Sequence, residues 1–229
     1  MGQKGGPDIP VQNLRLLVDD KNSTINSSSN IVSGIYKFIG SFTNVSMAGS
    51  GNTLSLTFSL STSKINFGDV SIFNLTANIS ISAWIYPNSF GGGSSGRIYD
   101  KYKSTFPQSG YAFFIDNNVG VNSIAYSTGY AISSSTARIN NQVTLNSWQH
   151  FAITHSGSTV TIYKNGEVIG TSTITAPTSA SGTVATIGNN SAGTNNFDGK
   201  ISMCSVYNQV LTDSEIKKIY TSTKSRYGL

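Results

Sequence analysis

The stretch from Trp148 to Thr173 constrains this chain most, because it reverses direction at two tight turns. Trp148–Thr154 reads as a strand, Ser156-Gly157-Ser158 as a turn and Thr159–Lys164 as the returning strand. Asn165-Gly166 then places side by side two residues that tolerate positive φ, as a type I′ hairpin requires, and Glu167–Thr173 continues as a third strand. Strands joined by turns this short pair antiparallel, since a parallel partner needs a crossover of roughly a dozen residues or more.

The same alternation recurs along the chain. Val11–Val18 is long enough for a strand, residues 19–34 are polar and irregular, and short alternating runs follow at Tyr36-Lys37-Phe38, Leu54–Phe58 and Ile65-Asn66-Phe67. The clearest strand runs from Asn78 to Pro87. Ile79, Ile81, Ala83 and Ile85 share one parity, Ser80, Ser82, Trp84 and Tyr86 the other, and Pro87 is expected to end the pairing. Further strands are predicted near 97–101, 111–116, 123–127, 137–141, 183–188 and 200–207. One helix is predicted, opened by the capping box Thr212-Asp213-Ser214-Glu215. Leu211 and Ile216 flank its start as a hydrophobic staple, Ile216, Ile219 and Tyr220 form its apolar face, and Lys217 and Lys218 are placed to complement the C-terminal end of its dipole. The helix is expected to lie as a lid on the end of the sandwich. The fold class that follows is all-β, a two-sheet antiparallel jelly-roll sandwich with one short C-terminal helix.

With 229 residues the chain can bury a sizeable core, and its one cysteine, Cys204, makes no intramolecular disulfide. No break separates two cores and no internal repeat is visible. Residues 1–10, Gly-rich with Pro7 and Pro10, read as a flexible arm, and 11–229 as one domain. Charged residues make up only 11% of the chain, so the surface is built largely of Ser, Thr, Asn and Gly. The net charge of +5 gathers partly at the C-terminus, in Lys217, Lys218, Lys224 and Arg226, which read either as a solvated end or as attraction to an acidic partner. No dense basic stripe with interleaved aromatics argues for nucleic acid, no apolar run approaches a membrane span, and no secretory leader is visible. Six Asn-x-Ser/Thr sequons, at Asn22, Asn26, Asn44, Asn74, Asn78 and Asn189, are close to chance in a chain of this composition.

An ordered set of segments resembles a known family. Trp148-Gln-His-Phe-Ala-Ile-Thr154, Thr161-Ile-Tyr-Lys-Asn-Gly166, Ile187-Gly188, Phe197-Asp-Gly-Lys-Ile201 and Val206–Ile216 are similar in order and spacing to the C-terminal half of laminin-G-like, concanavalin A-like jelly rolls. Ile79–Ile85 with Pro87 resembles the family's earlier strand, and the resemblance implies that Trp84 and Trp148 are core. The opening Leu14-Arg-Leu-Leu-Val-Asp19 and the ending Tyr220–Leu229 are similar to those of laminin-G-like structural proteins of tailed, especially marine, bacteriophages. That resemblance implies a virion protein assembled in the host cytoplasm, with other virion proteins as partners and homo-oligomerisation open.

The residues argue against catalysis. A glycosidase needs two carboxylates flanking the bond, and this chain has just two glutamates, Glu215 in the capping box and Glu167 beside a hairpin turn. His150 and His155 lie an odd number of residues apart on one strand and so face opposite ways. Cys204 sits in a strand as a small core residue. No cofactor is expected; the family resemblance leaves Ca²⁺ as the one alternative, with Asp198 and Asp69 as candidate ligands, and Asp198-Gly199 reads first as a turn signature. Tyr102, Tyr111, Tyr126 and Tyr130 are the candidate ligand-binding aromatics, as an exposed sugar-stacking set or as core filling. Three functions remain: a non-enzymatic capsid-decorating or tail component, which can also adhere to host-surface glycans; a free lectin; and, last, a glycoside hydrolase.

Overall fold

The computed structural model describes residues 9–19, 24–27, 30–32, 38–48, 55–105, 107–129 and 135–229. Its strands are β1 (Leu14–Val18), β2 (Thr24–Ser27), β3 (Asn30–Val32), β4 (Ile39–Thr43), β5 (Val45–Ala48), β6 (Ser55–Phe58), β7 (Lys64–Asn66), β8 (Ile79–Ser89) and β9 (Arg97–Lys103). They continue as β10 (Ser109–Asp116), β11 (Ser123–Ser127), β12 (Thr136–Ile139), β13 (Gln149–Ser156), β14 (Thr159–Lys164), β15 (Glu167–Thr173), β16 (Thr186–Ile187) and β17 (Asp198–Tyr207), before the helix α1 (Asp213–Thr223). Two antiparallel sheets result. One has the order β15-β14-β13-β8-β17-β6-β5 with β1 also on β17, and the other the order β12-β11-β10-β9-β16-β7-β4-β3-β2.

The period-two pattern decides which side chains meet between the sheets. Ile79, Ile81, Ala83 and Ile85 point inward from β8, and join Tyr99, Tyr111, Phe113, Ile115 and Tyr126 of the second sheet in one core. The odd-numbered offset of the two histidines has the predicted consequence: His150 pairs with Trp84 across the ladder and faces out, while His155 pairs with Ile79 and faces in, reaching the Tyr126 hydroxyl at 3.3 Å. Asn165 and Gly166 take φ of 52° and 82°, as the hairpin requires.

Four expectations are corrected. Pro87 does not end its strand, because β8 continues to Ser89 and Pro87 faces Gly199 at a bulge of β17, where the ladder is already irregular. Strands β2 to β5 were not predicted; β2, β3 and β4 pair in succession in the second sheet, whereas β5 pairs with β6 in the first, so register with neighbours rather than a visible alternation holds them. The capping box is present, with Glu215 N donating to Thr212 Oγ1 at 3.2 Å and Thr212 N to Glu215 Oε2 at 2.8 Å. Yet α1 runs on to Thr223, which leaves Lys217 and Lys218 in mid-helix; Lys217 instead meets Glu167 at 2.6 Å. Nor does α1 cap an end of the sandwich. It lies over the outer face of the first sheet, where Leu211, Ile216 and Ile219 bury Trp84, Ala152, Tyr163, Met203 and Tyr207 in a second small core.

That second core also redraws the predicted arm. Ile9 is buried in it beside Leu14 and Leu17, whereas Val11 is exposed. Residues 1–8 lie outside the described residues. Trp84 is fully buried, but under the helix rather than between the sheets, and Trp148 is half-buried at the edge of the same cluster. Trp84 stacks on Tyr227 at 4.1 Å and donates to Thr223 Oγ1 at 2.9 Å. Arg226 then reaches Asp19 at 2.8 Å, an ion pair almost wholly buried, so the basic C-terminal end is folded into the domain at this residue.

Candidate functional site

Residues of β9, β10 and β11 on the opposite parity from the core form the outer face of the second sheet. Tyr102, Ala112, Phe114 and Ala125 make a small buried cluster there. Beside it opens a cavity of about 270 Å³, whose floor is Arg97, Asp100 and Tyr102 and whose wall is the loop 190–195. The guanidinium of Arg97 lies 4.3 Å over the Phe114 ring, and its Nε donates to Asp100 Oδ2 at 3.1 Å. The other carboxylate oxygen of Asp100 accepts from Tyr102 N at 3.1 Å. Burial lifts the Asp100 carboxyl to about 6, although Arg97 opposes the shift.

The wall is made rigid by its own amides. Asn189 Oδ1 accepts from Asn190 N at 2.9 Å and Asn195 N at 3.0 Å, while its Nδ2 donates to Ser61 O at 2.8 Å. Asn190 Oδ1 accepts from Thr194 N at 2.9 Å, and its Nδ2 donates to Asn195 Oδ1 at 2.8 Å. The loop is tied to the floor by Arg97 N donating to Asn195 O at 3.0 Å. Asn189 is fully buried, so its sequon is closed to modification in the folded chain. Amide and hydroxyl groups locked in this way meet a ligand with their orientation already set.

Of the four tyrosines, Tyr102 lines this cavity. Tyr111 and Tyr126 do not reach it. They point to the core side of the sheet, fully buried with ring centroids 6.5 Å apart, and the Tyr111 hydroxyl donates to Phe73 O at 3.0 Å. An exposed stacking role is thereby corrected for these two: strand parity sends them inward. Tyr130 lies outside the described residues. The Asn-rich loop was missed, and the available signal was the cluster Asn189-Asn190, Asn195-Asn196 directly before the Phe197-Asp-Gly motif.

The two aspartates proposed for calcium are held by different elements. Asp69 Oδ1 accepts from Lys101 Nζ at 2.7 Å, and Oδ2 from Gly182 N at 2.7 Å. The Lys101 ammonium, and after it the Gly182 amide, hold the Asp69 carboxyl below its usual range. A calcium ion there would have to displace a cation already in contact, so Asp69 does not suit the role. Asp198 Oδ2 accepts from Ser89 Oγ at 2.6 Å at the start of β17. Among the described residues no group of three or more His, Cys, Asp or Glu side chains is arranged to hold a metal.

Two arrangements resemble catalytic parts and lack what catalysis requires. Ser82 Oγ lies 2.7 Å from His150 Nε2, but both side chains are buried, with α1 covering that face, and burial drives the imidazole down to about 3. Asp100 and Asp116 share the outer face of the second sheet. Asp100 pairs with Ala112, so Asp116 stands four residues further along β10, roughly 13 Å away at strand rise. Glycosidase carboxylates lie at most about 9.5 Å apart, and Asp116 is in addition paired with Arg138 at 2.8 Å.

Comparison with known proteins agrees with this architecture. Domain 4 of an extracellular GH43 arabinanase from Geobacillus stearothermophilus, in complex with arabinotriose, is 16% identical, with a TM-score of 0.67 over 91% of this chain and 98% of that one. The binding domain of Paraclostridial Mosquitocidal Protein 1 is 16% identical, with a TM-score of 0.65 over 92% of this chain and 52% of that one. The Trypanosoma rangeli sialidase in complex with sialic acid is 14% identical, with a TM-score of 0.69 over 99% of this chain and 35% of that one. The chain thus spans about half of the toxin's binding domain and about a third of the sialidase, and at these identities the likeness is one of fold. No curated protein matches the sequence. The family described as Concanavalin A-like lectin/glucanases superfamily, of laminin G type, matches residues 59–217, which is most of the chain, and the chain therefore belongs to that superfamily.

Proposed function

We propose that this chain is a non-catalytic carbohydrate-binding module that takes the end of a short glycan into the cavity between Arg97, Asp100, Tyr102 and the 190–195 loop. The observation that carries the reading is the rigid amide wall facing a floor with one aromatic ring and one charged pair. Sugar hydroxyls both donate and accept, and a small set of fixed polar groups beside an aromatic surface is the usual means of orienting such a ligand. The cavity of about 270 Å³ lies near the lower end of small-molecule sites, which suits a chain end better than a long polymer. Similar folds in an arabinanase domain in complex with arabinotriose and in a toxin's binding domain support a binding role. The spacing and pairing of Asp100 and Asp116 oppose hydrolysis.

A setting in a phage particle, as a capsid-decorating or tail component, is the finer part of this reading. It rests on the resemblance of Leu14–Asp19 and Tyr220–Leu229 to phage proteins, and the Asp19–Arg226 pair joins those two segments as one structural unit.

A glycan array probed with the full chain tests the binding role. One family of related glycans should be retained, and Asn190→Ala should weaken that signal at least about tenfold, equivalent to about 1.4 kcal/mol. An array without signal, or a signal indifferent to Asn190→Ala and Tyr102→Ala, would sink the assignment. Mass spectrometry of purified particles tests the setting: the protein's absence from them removes the virion reading and leaves a free lectin.

A further inference from the structure

The cavity beside the amide loop has two charged side chains among its described lining residues, Arg97 and Asp100, and the others are uncharged. The two charges answer each other. Arg97 Nε donates to Asp100 Oδ2 at 3.1 Å, with both side chains almost wholly buried. Arg97 Nη1 donates to Ser95 Oγ at 3.3 Å, and the flat face of the guanidinium lies 4.3 Å over the Phe114 ring. The second oxygen of Asp100 is occupied by Tyr102 N at 3.1 Å. The cation is thus held by partners of its own along one edge and one face, and the carboxylate on both oxygens.

The neighbouring lysines are turned elsewhere. Lys101 and Lys103 fall on the opposite parity of β9 from Asp100 and Tyr102, and Lys101 is bonded to Asp69 at 2.7 Å. Lys64 donates to Ser191 O at 3.1 Å and is not among the lining residues. A buried pair of this kind presents no net charge to a ligand. A carboxylate or sulfate entering the cavity gives up its water and meets a cation that is already compensated, whereas a hydroxyl exchanges one hydrogen bond for another.

We infer that this cavity selects neutral glycan ends and rejects those bearing a uronate, a sialic acid or a sulfate. The inference rests on the glycan-binding reading above and names the class of sugar that the site admits. Asp100 is the residue that sets the preference. Its charge cancels that of Arg97, so without it the guanidinium stands as an uncompensated cation in the floor of the cavity, and acidic sugars gain a partner.

An array of neutral glycans, each beside a counterpart differing by a uronate, a sialic acid or a sulfate, tests it. The full chain is applied at a pH well above the value of about 6 to which burial lifts the Asp100 carboxyl, so that the pair is ionised. The retained glycans should be neutral, each held at least about tenfold more strongly than its acidic counterpart. Asp100→Asn should lower that ratio at least about tenfold. Because loss of a buried charge can disturb the fold, Ala192→Arg serves as the second variant; Ala192 is an exposed lining residue, and the added guanidinium brings an unpaired cation with the Arg97–Asp100 pair intact. It should shift the ratio in the same direction. Acidic glycans held as strongly as their neutral counterparts, or a ratio unmoved by Ala192→Arg or by folded Asp100→Asn, would overturn the inference and leave the glycan-binding reading standing. An array without signal would remove both.

Discussion

The outer faces of the two sheets were built by the same alternation and met different fates. On the first sheet, outward residues such as Trp84, Ala152 and Tyr163 lie under α1 and form a second core. On the second sheet, outward residues carry Arg97, Asp100, Asp116 and Arg138 as ion pairs, and an open cavity remains beside Tyr102. What separates them is what the chain lays on top. A helix with an apolar stripe of Ile216 and Ile219 excludes water from one face. A loop of asparagines, cross-linked by hydrogen bonds of its own, stands beside the other and leaves its remaining amide groups open to the cavity. The covered face stabilises the fold, and the open one is available for function.

The largest expected effect breaks the covered face. Trp84→Ala removes the stacking on Tyr227 and the hydrogen bond to Thr223, and should lower unfolding stability by about 4 kcal/mol in a urea titration. Ser104→Ala, at an exposed position beside the open cavity, should stay within about 0.5 kcal/mol. Similar losses for the two variants would mean that the helix-covered face is no true core.

The two faces also oppose each other in pH dependence. His150, under the helix, stays neutral in the fold down to about 3, whereas the unfolded chain takes up its proton near 6.5. Its contribution is therefore complete above 6.5 and is lost as pH falls, by up to about 1.4 kcal/mol per pH unit. Asp100, on the open face, keeps its proton in the fold up to about 6, well above its unfolded value of 3.8. Its contribution is complete below 3.8 and is lost as pH rises through about 6, so the two slopes oppose between roughly pH 4 and 6. Denaturant midpoints across this range should fall with rising pH in His150→Gln and rise more steeply than the parent in Asp100→Asn. Parallel profiles for all three proteins would remove the contrast.

A smaller loss than that of Trp84→Ala is expected at the start of the covering helix. Thr212→Ala should lower stability by about 1 kcal/mol, because it deletes the acceptor for Glu215 N. A midpoint unchanged within error would mean that tertiary burial of Leu211 and Ile216 alone sets where the helix begins.

Much of the fold was legible in the sequence where local rules act without help. The meander at 148–173, the positive φ of Asn165 and Gly166, the opposed histidines and the capping box all follow from periodicity or from neighbours a few residues apart. Legibility failed where a partner distant in the chain decides. Pro87 stays in its strand because Gly199 bulges opposite it, and Lys217 leaves the helix dipole for Glu167. The candidate site was harder still. Its wall depends on Asn189 reaching Ser61 and on Asn195 meeting Arg97, contacts that no local pattern announces.

By itself, then, the sequence determined the strand period, the tight turns, the helix start and the sorting of side chains into two parities. A parity says only which residues share a face. Tertiary structure decided which face became core, sending Tyr111 and Tyr126 inward and leaving Tyr102 at a cavity. It also decided that the helix covers a sheet rather than an end, and that Arg226 is committed to Asp19. The physical reason is that burial is a property of whole surfaces brought together, while alternation is a property of one strand.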